Sequence, residues 1–160
     1  ANQITSKGAM MIVNAVLRSS GGSLRRLDVS LNRSFGDDAI IKLCRELIKS
    51  TTAVPLRELT LSSCGLTPKV AAYIGALLAS SSISHVSQGV PFLEKIAIDG
   101  NTAAAGTSLY SVWSGAIMSK SLSSMTLSVS PGGNATDYLL RHGGENVGAL
   151  KHFSVSMVPP

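Results

Sequence analysis

The chain has 160 residues, which is enough for one domain with a sizeable core. Apolar residues make up 44% of the chain, charged residues 14% and aromatic residues 4%, so we expect a core built from aliphatic side chains. No apolar run is long enough for a membrane span, and no signal-peptide pattern opens the sequence. The expectation is therefore a cytoplasmic protein with reduced cysteines.

The net charge is +5, and much of the excess lies in the first third of the chain. The basic residues there are Arg18, Arg25, Arg26, Arg33, Lys42, Arg45 and Lys49. Nucleic acid or an acidic membrane surface could use such a patch. A mildly basic solvated surface is the simpler explanation, because the sequence has no long block of like charges.

Residues 4–18 are predicted to form a helix, because Met10, Val13 and Leu17 recur at helical spacing. The turn-forming sequence Ser-Ser-Gly-Gly at 19–22 ends it. We interpret this helix as the helical half of a structural repeat.

Five short segments then share the spacing L-x-x-L-x-L. The second and third apolar residues of each segment lie two apart, so they face the same side of a short strand. These positions are, in chain order, Leu24, Leu27 and Val29; Leu56, Leu59 and Leu61; Leu93, Ile96 and Ile98; Leu122, Met125 and Leu127; and Leu150, Phe153 and Val155. Each segment is predicted to be a strand.

Helices are predicted between these strands. Asp37 and Asp38 suit the positive end of one helix, and Thr67 followed by Pro68 is a typical start of the next. The residues expected on the buried faces are Ile40, Leu43 and Leu47; Val70, Ile74, Leu77 and Leu78; and Leu109, Trp113 and Ile117. A shorter helix is predicted at 138–140, and residues 80–90 are expected to form the longest loop.

The segment from Leu56 to Leu66 completes the pattern L-x-x-L-x-L-x-x-N/C-x-L through Cys64. This pattern is the signature of leucine-rich repeats, and the chain resembles that family over nearly its whole length. The spacing of the last three strand starts is similar to that of the long, ribonuclease-inhibitor-like class. The resemblance implies an α/β solenoid, a horseshoe arc with parallel strands on the concave side and helices on the convex side.

The same resemblance implies one domain over residues 1–160, with strand starts near residues 24, 56, 93, 122 and 150, as a segment of a larger solenoid. In the family, the Asn or Cys of the pattern bonds to backbone groups that the turn after each strand leaves unpaired. Asn32, Cys64 and Asn101 take that position here, so we expect all three to be buried. Cys64 is then a structural thiol rather than a nucleophile.

Residues between the buried strand positions would line the concave face in three rows. The rows are Arg26, Glu58, Lys95, Ser124 and His152; Asp28, Thr60, Ala97, Thr126 and Ser154; and Ser30, Ser62, Asp99, Ser128 and Ser156. The candidate partner-binding residues are Arg25, Arg26, Asp28, Arg57, Glu58, Thr60, Lys95, Asp99 and His152. Loops at 80–90 and 131–134 are alternative sites.

Sequence motifs for catalysis are absent. No phosphate-binding loop, dinucleotide fingerprint or nucleophile elbow occurs, and two cysteines cannot build a zinc site. His85, His142 and His152 stand apart, and pairing His142 with Glu145 does not make a metal site. We expect no catalytic residue, no metal and no cofactor, and we expect Trp113 to be core.

The resemblance implies a non-catalytic protein–protein interaction scaffold that binds a protein partner through the concave face or the adjoining loops. Relatives in this class include nuclease inhibitors, innate-immune receptor tails, GTPase-activating proteins and regulators of actin filament ends. Residues 55–78 have the general look of repeats in actin-regulating linker proteins, but most of that likeness is shared by the whole class, and no residue singles out one branch. Two alternatives stay open: a GTPase-activating protein of the repeat type, and nucleic-acid or acidic-surface binding through the basic first third. Contacts with further repeats or domains are also expected.

Overall fold

The computed structural model describes residues 3–18, 23–50, 54–80, 93–129 and 149–157, together with Asp137, Leu139 and Arg141. The predicted helix at 138–140 and the loops at 80–90 and 131–134 lie largely or wholly outside these residues. Within them, strands and helices alternate along the chain. The elements are α1 (Ser6–Arg18), β1 (Arg26–Asp28), α2 (Gly36–Lys49), β2 (Glu58–Thr60), a 3-10 turn (Pro68–Val70), α3 (Ala71–Ser80), β3 (Lys95–Ala97), α4 (Ser108–Met118), β4 (Ser124–Val129) and β5 (His152–Met157).

The strands form one parallel sheet in the order β1-β2-β3-β4-β5, so each strand pairs with its neighbours in sequence. On the other layer, α1 packs on α2, α2 on α3, and α3 on α4. This is the α/β repeat solenoid that the sequence predicts. Its core lies between the two layers, because the inward strand positions and one stripe of each helix are buried together.

The strand pattern is confirmed residue by residue in the central units. Leu59, Leu61, Ile96 and Ile98 are all buried, and so are the leucines that precede each strand at Leu56, Leu93 and Leu122. The polar residues between them are partly or fully exposed, as a strand with one buried face requires.

The helix stripes are confirmed for α2 and α3, where every residue expected to be buried is buried. In α4 the expectation for Ile117 is wrong: this side chain is 39% exposed. The buried side of α4 includes Val112 and Ala116 instead. Leu109 and Ile117 are eight positions apart, so on a helix of 3.6 residues per turn they point in different directions. In α1 the stripe runs through Ala9, Val13 and Val16, and Met10 is only half-buried.

The turns after β1, β2 and β3 are held by buried side chains, as expected. The Asn101 Oδ1 accepts hydrogen bonds from the backbone N–H of Cys64 (2.9 Å) and of Leu66 (3.1 Å) in the preceding repeat. Its Nδ2 donates to the backbone oxygens of Leu61 (2.8 Å) and Ile98 (3.0 Å). One amide therefore satisfies backbone groups of two successive repeats.

Asn32 and Cys64 act in the same way. The Asn32 Nδ2 donates to the Val29 oxygen at 2.8 Å, and its Oδ1 accepts from the Ile4 N–H at 3.2 Å. The Cys64 thiol donates to the Val29 oxygen at 3.1 Å, and burial raises its pKa to about 11. Because these groups are buried and paired, the structural role predicted for Cys64 fits its surroundings better than a nucleophilic one.

Glycines set the closest approach between two helices. A Cβ atom on Gly75 of α3 would lie 2.2 Å from the Ser111 backbone oxygen, and a Cβ on Gly115 of α4 would lie 2.1 Å from the Gly75 oxygen. The backbones of α3 and α4 are therefore in direct contact, which no other residue type would permit.

Replacing Asn101 with alanine should destabilise the fold by about 3 kcal/mol or more. The change leaves buried donors and acceptors of two repeats without partners, and each such group costs about 1–3 kcal/mol. Urea denaturation followed by circular dichroism measures the loss. The matched control is Asn14→Ala on α1, which should change stability by less than about 0.5 kcal/mol; an equal loss in both variants would contradict the role of Asn101.

Gly75→Ala should lower the free energy of unfolding by about 1–3 kcal/mol, because the added methyl must push apart two backbones. Gly8→Ala is the control, since a Cβ there meets only flexible side-chain atoms of Ile4 and Thr5, at 3.3 and 3.6 Å. That variant should be nearly neutral in the same denaturation experiment. A neutral Gly75→Ala would show that the α3–α4 contact can relax without cost.

Candidate functional site: the concave strand face

The rows predicted for the concave face lie in register across the sheet. Strand pairing aligns Arg26 with Glu58, Glu58 with Lys95, Lys95 with Ser124, and Ser124 with His152. The second row is also confirmed as aligned: Asp28, Thr60, Ala97, Thr126 and Ser154. Adjacent members of a row are about 4.8 Å apart, so neighbouring side chains can interact directly.

The first row contains an ionic ladder of three side chains. Glu58 lies at the centre, with one carboxylate oxygen 2.6 Å from Nε of Arg26 and the other 3.4 Å from Nζ of Lys95. The hydrogen bond from Arg26 is the main cause that lowers the pKa of Glu58, and the same bond raises the pKa of Arg26. Arg26 and Lys95 stay more than half exposed, so their remaining donors face solvent.

A flanking row runs beside it, one residue earlier in each strand. Backbone hydrogen bonds link Arg25, Arg57, Glu94, Ser123 and Lys151 in that order. Within the row, Nη1 of Arg57 lies 3.2 Å from the Glu94 carboxylate. Glu94 and Lys151 are not among the binding residues predicted from the sequence. Glu94 could have been found there, because it follows Leu93 just as the predicted Arg57 follows Leu56.

These two rows place predicted residues together in one shallow depression. It is lined by Arg25, Arg26, Arg57, Glu58 and Glu94. Across both rows, the cations Arg25, Arg26, Arg57, Lys95 and Lys151 outnumber the carboxylates Glu58 and Glu94. These two rows are therefore basic, with three more cations than carboxylates.

The remaining acidic candidates, Asp28 and Asp99, accept short hydrogen bonds from serine hydroxyls. Asp28 accepts from the Ser30 hydroxyl at 2.6 Å and from the Ser30 N–H at 3.0 Å, and the hydroxyl bond is the first cause of its lowered pKa. Asp99 accepts from the Ser62 hydroxyl at 2.7 Å. Further along the third row, the hydroxyls of Ser128 and Ser156 are 2.6 Å apart. The third row is thus a strip of small, mutually bonded polar groups.

Thr60 and His152 stand outside the charged cluster. Thr60 lies between Asp28 and Ala97 in the second row. His152 is exposed on β5 and is separated from Lys95 by the strand that carries Ser124. The structure therefore brings together the charged candidates Arg25, Arg26, Arg57, Glu58 and Lys95, and leaves His152 apart from them.

Groups that could support chemistry do not come together in the part of the chain that the structure describes. No set of His, Cys, Asp or Glu side chains there could hold a metal ion. Cys44 is a free, buried thiol whose pKa burial raises to about 12. Trp113 is fully buried, as expected of a core residue, and its ring lies 4.8 Å from that of Phe153. His85 and His142 lie outside the described residues.

None of the described helices combines the length and the apolar character that crossing a bilayer requires.

Comparison with known proteins agrees with this architecture. A family model described as leucine-rich repeat matches residues 23–44. The structure of leiomodin-1 actin-binding site 2 superposes with a TM-score of 0.68 at 12% sequence identity, covering 90% of this chain and 76% of that chain. No curated protein matches the sequence. At this identity the structural likeness concerns the fold.

The parallel sheet with a helix layer behind it defines an α/β leucine-rich repeat solenoid. The family model matches the first strand unit and the start of α2, so sequence and fold are both similar to those of leucine-rich repeat proteins.

Glu58→Gln should remove an acid-sensitive part of the stability. The folded-state pKa of Glu58 lies below its ordinary value of 4.5, so its ion pairs stabilise the fold above that pH. The contribution is lost as the pH falls through the folded-state pKa. Urea denaturation at pH 7 and pH 3 should therefore show a less stable variant at pH 7 and a smaller difference at pH 3.

The control for this experiment is Glu46→Gln, since Glu46 is exposed on α2 and has no ion pair within the described residues. It should follow the unmodified protein at both pH values. If Glu58→Gln did the same, the ladder would contribute nothing to stability.

Proposed function

We propose that the chain is a non-catalytic scaffold that binds a protein partner on its concave strand face. The observation that carries the proposal is the pair of in-register charged rows on β1, β2 and β3. Repeat proteins present such extended surfaces because each repeat adds one side chain to every row. The match of a leucine-rich repeat model to residues 23–44 supports an interaction role in general.

The geometry favours a partner with acidic groups. Glu58 and Glu94 are already paired with Arg26, Lys95 and Arg57, so the ladder holds its cations in place before a partner arrives. Pre-ordered side chains lose less conformational entropy on binding than free ones. Arg25 and Lys151 extend the basic row at its two ends.

The basic first third receives less support as a nucleic-acid site. Arg25 and Arg26 lie at the sheet, whereas Lys42, Arg45 and Lys49 lie on α2 in the helix layer. The charges are therefore divided between two layers instead of forming one patch. The GTPase-activating alternative gains no specific support from the described residues.

The proposal is tested by photo-crosslinking from the two faces. A benzophenone amino acid replaces Thr60 on β2 or, as control, the exposed Arg45 on α2. After incubation with cell extract, the Thr60 probe should give discrete crosslinked proteins that the Arg45 probe does not. Purified actin forms a separate arm, because the structurally similar leiomodin-1 domain is named as an actin-binding site.

Charge reversal then tests the recognition itself. Arg25→Glu with Arg57→Glu should weaken binding of the captured partner at least about tenfold, and added salt should weaken the unmodified complex. Arg45→Glu should leave the affinity unchanged. Equal crosslinking from both faces, or equal affinity of all variants, would overturn the concave-face assignment.

A further inference from the structure

One end of the solenoid is basic. The strands are parallel and helices alternate with them, so the helices α1 to α4 end, and the strands begin, on the same side. We call this surface the strand-start rim: the last residues of these helices, the residue before each strand and the described connections between them. Its charged residues are Arg18, Arg25, Lys49, Arg57, Glu94, Lys120 and Lys151. Lys42 and Arg45 are not part of it, because they lie further back along α2.

The opposite end, where strands lead into helices, is not basic. Lys7, Arg33 and Lys69 lie there together with Asp28, Asp37, Asp38 and Asp99. The charges are thus segregated along the direction of the strands. Helix dipoles favour cations in the last turn, which accounts for Arg18 and Lys49. They do not account for Arg25, Lys120 or Lys151, which lie outside the helices.

Most cations of the strand-start rim have no acidic partner among the described residues. Arg57 pairs with Glu94. The others are exposed and form no ion pair with a described residue: Arg18, Arg25, Lys49, Lys120 and Lys151. The connecting segments 19–22, 51–53 and 81–92 contain no Asp or Glu either. Because these cations come from successive repeats, an extended anionic surface suits them better than a single small anion.

Exposed apolar side chains lie beside these cations. Ile117 and Met118, the last two residues of α4, are 39% and 56% exposed, and Lys120 follows two residues later. Leu122 is buried, so the exposed apolar side chains end where the chain turns back to the sheet. α3 and α4 contain no charged residue, in contrast to α1 and α2. The strand-start rim thus combines exposed cations with an adjacent apolar contact.

We propose that the strand-start rim binds the surface of an anionic lipid bilayer. Lysine and arginine side chains are attracted to anionic headgroups, and exposed apolar side chains favour the boundary between headgroups and acyl chains. A nucleic acid would satisfy the cations but would leave Ile117 and Met118 in water. The rim runs along the solenoid, so further repeats at either end of the chain would lengthen it and not cover it.

Cosedimentation with lipid vesicles tests the proposal. Vesicles of phosphatidylcholine with about one-third phosphatidylserine should bind the unmodified chain, and added salt should release it. Vesicles of phosphatidylcholine alone should bind little. Arg18→Glu with Lys49→Glu and Lys120→Glu should weaken binding to the anionic vesicles at least about tenfold. Arg25 and Arg57 stay unchanged, so a loss of vesicle binding is separate from the concave-face proposal.

The matched control reverses three exposed cations at the opposite end: Lys7→Glu with Arg33→Glu and Lys69→Glu. It changes the net charge of the chain by the same amount and should bind the anionic vesicles like the unmodified chain. An equal loss in both triple variants would show that net charge alone governs binding and would overturn the assignment to the strand-start rim.

A second variant tests the apolar contact without any change of charge. Ile117→Ser with Met118→Ser should weaken binding to the anionic vesicles at least about threefold, because less apolar surface leaves water on binding. Unchanged binding of this variant would overturn the lipid assignment, since the cations by themselves fit any polyanion. Binding to a DNA duplex with none to the anionic vesicles would overturn it as well.

Discussion

The fold depends on one recurring interaction: in the turns after β1, β2 and β3, a buried side chain bonds to the backbone of its own repeat and of a neighbouring one. Asn101 shows it most fully, since its amide joins the N–H groups of Cys64 and Leu66 to carbonyl groups on both strands. Buried backbone groups without partners are costly, so a turn of this shape is stable only when repeats stack. This interaction therefore links neighbouring repeats and fixes the register of their strands.

The regular rows of side chains on the concave face follow from this fixed strand register. Because the turns after β1, β2 and β3 are anchored at the same position, residues at the same place in these repeats become neighbours across the sheet. Charges far apart in sequence, such as Arg26, Glu58 and Lys95, then form a ladder without any local motif. A sequence without recognisable site motifs thereby acquires an ordered row of charged side chains on its concave face.

The architecture changes at the unit whose sequence departs from the turn pattern. The fourth unit has Ser130 in place of Asn or Cys, and Val129 continues the strand where the earlier units turn. The longer β4–β5 ladder and the exposed row of β5 accompany this change. Within the described residues, the sheet thus combines a well-anchored middle with exposed apolar side chains on β5, Val155 and Met157.

The sequence by itself determined the strands, their order and their register, because the spacing of leucines, Asn and Cys is tied to the backbone geometry of each turn. It also placed Asn32, Cys64 and Trp113 in the interior. Only the tertiary structure decided which side chains pair, since the Arg57–Glu94 contact depends on strand neighbours 37 residues apart. It likewise turned Ile117 outward and brought Gly75 against Gly115, because helix rotation and backbone contact are set by the packing of two layers.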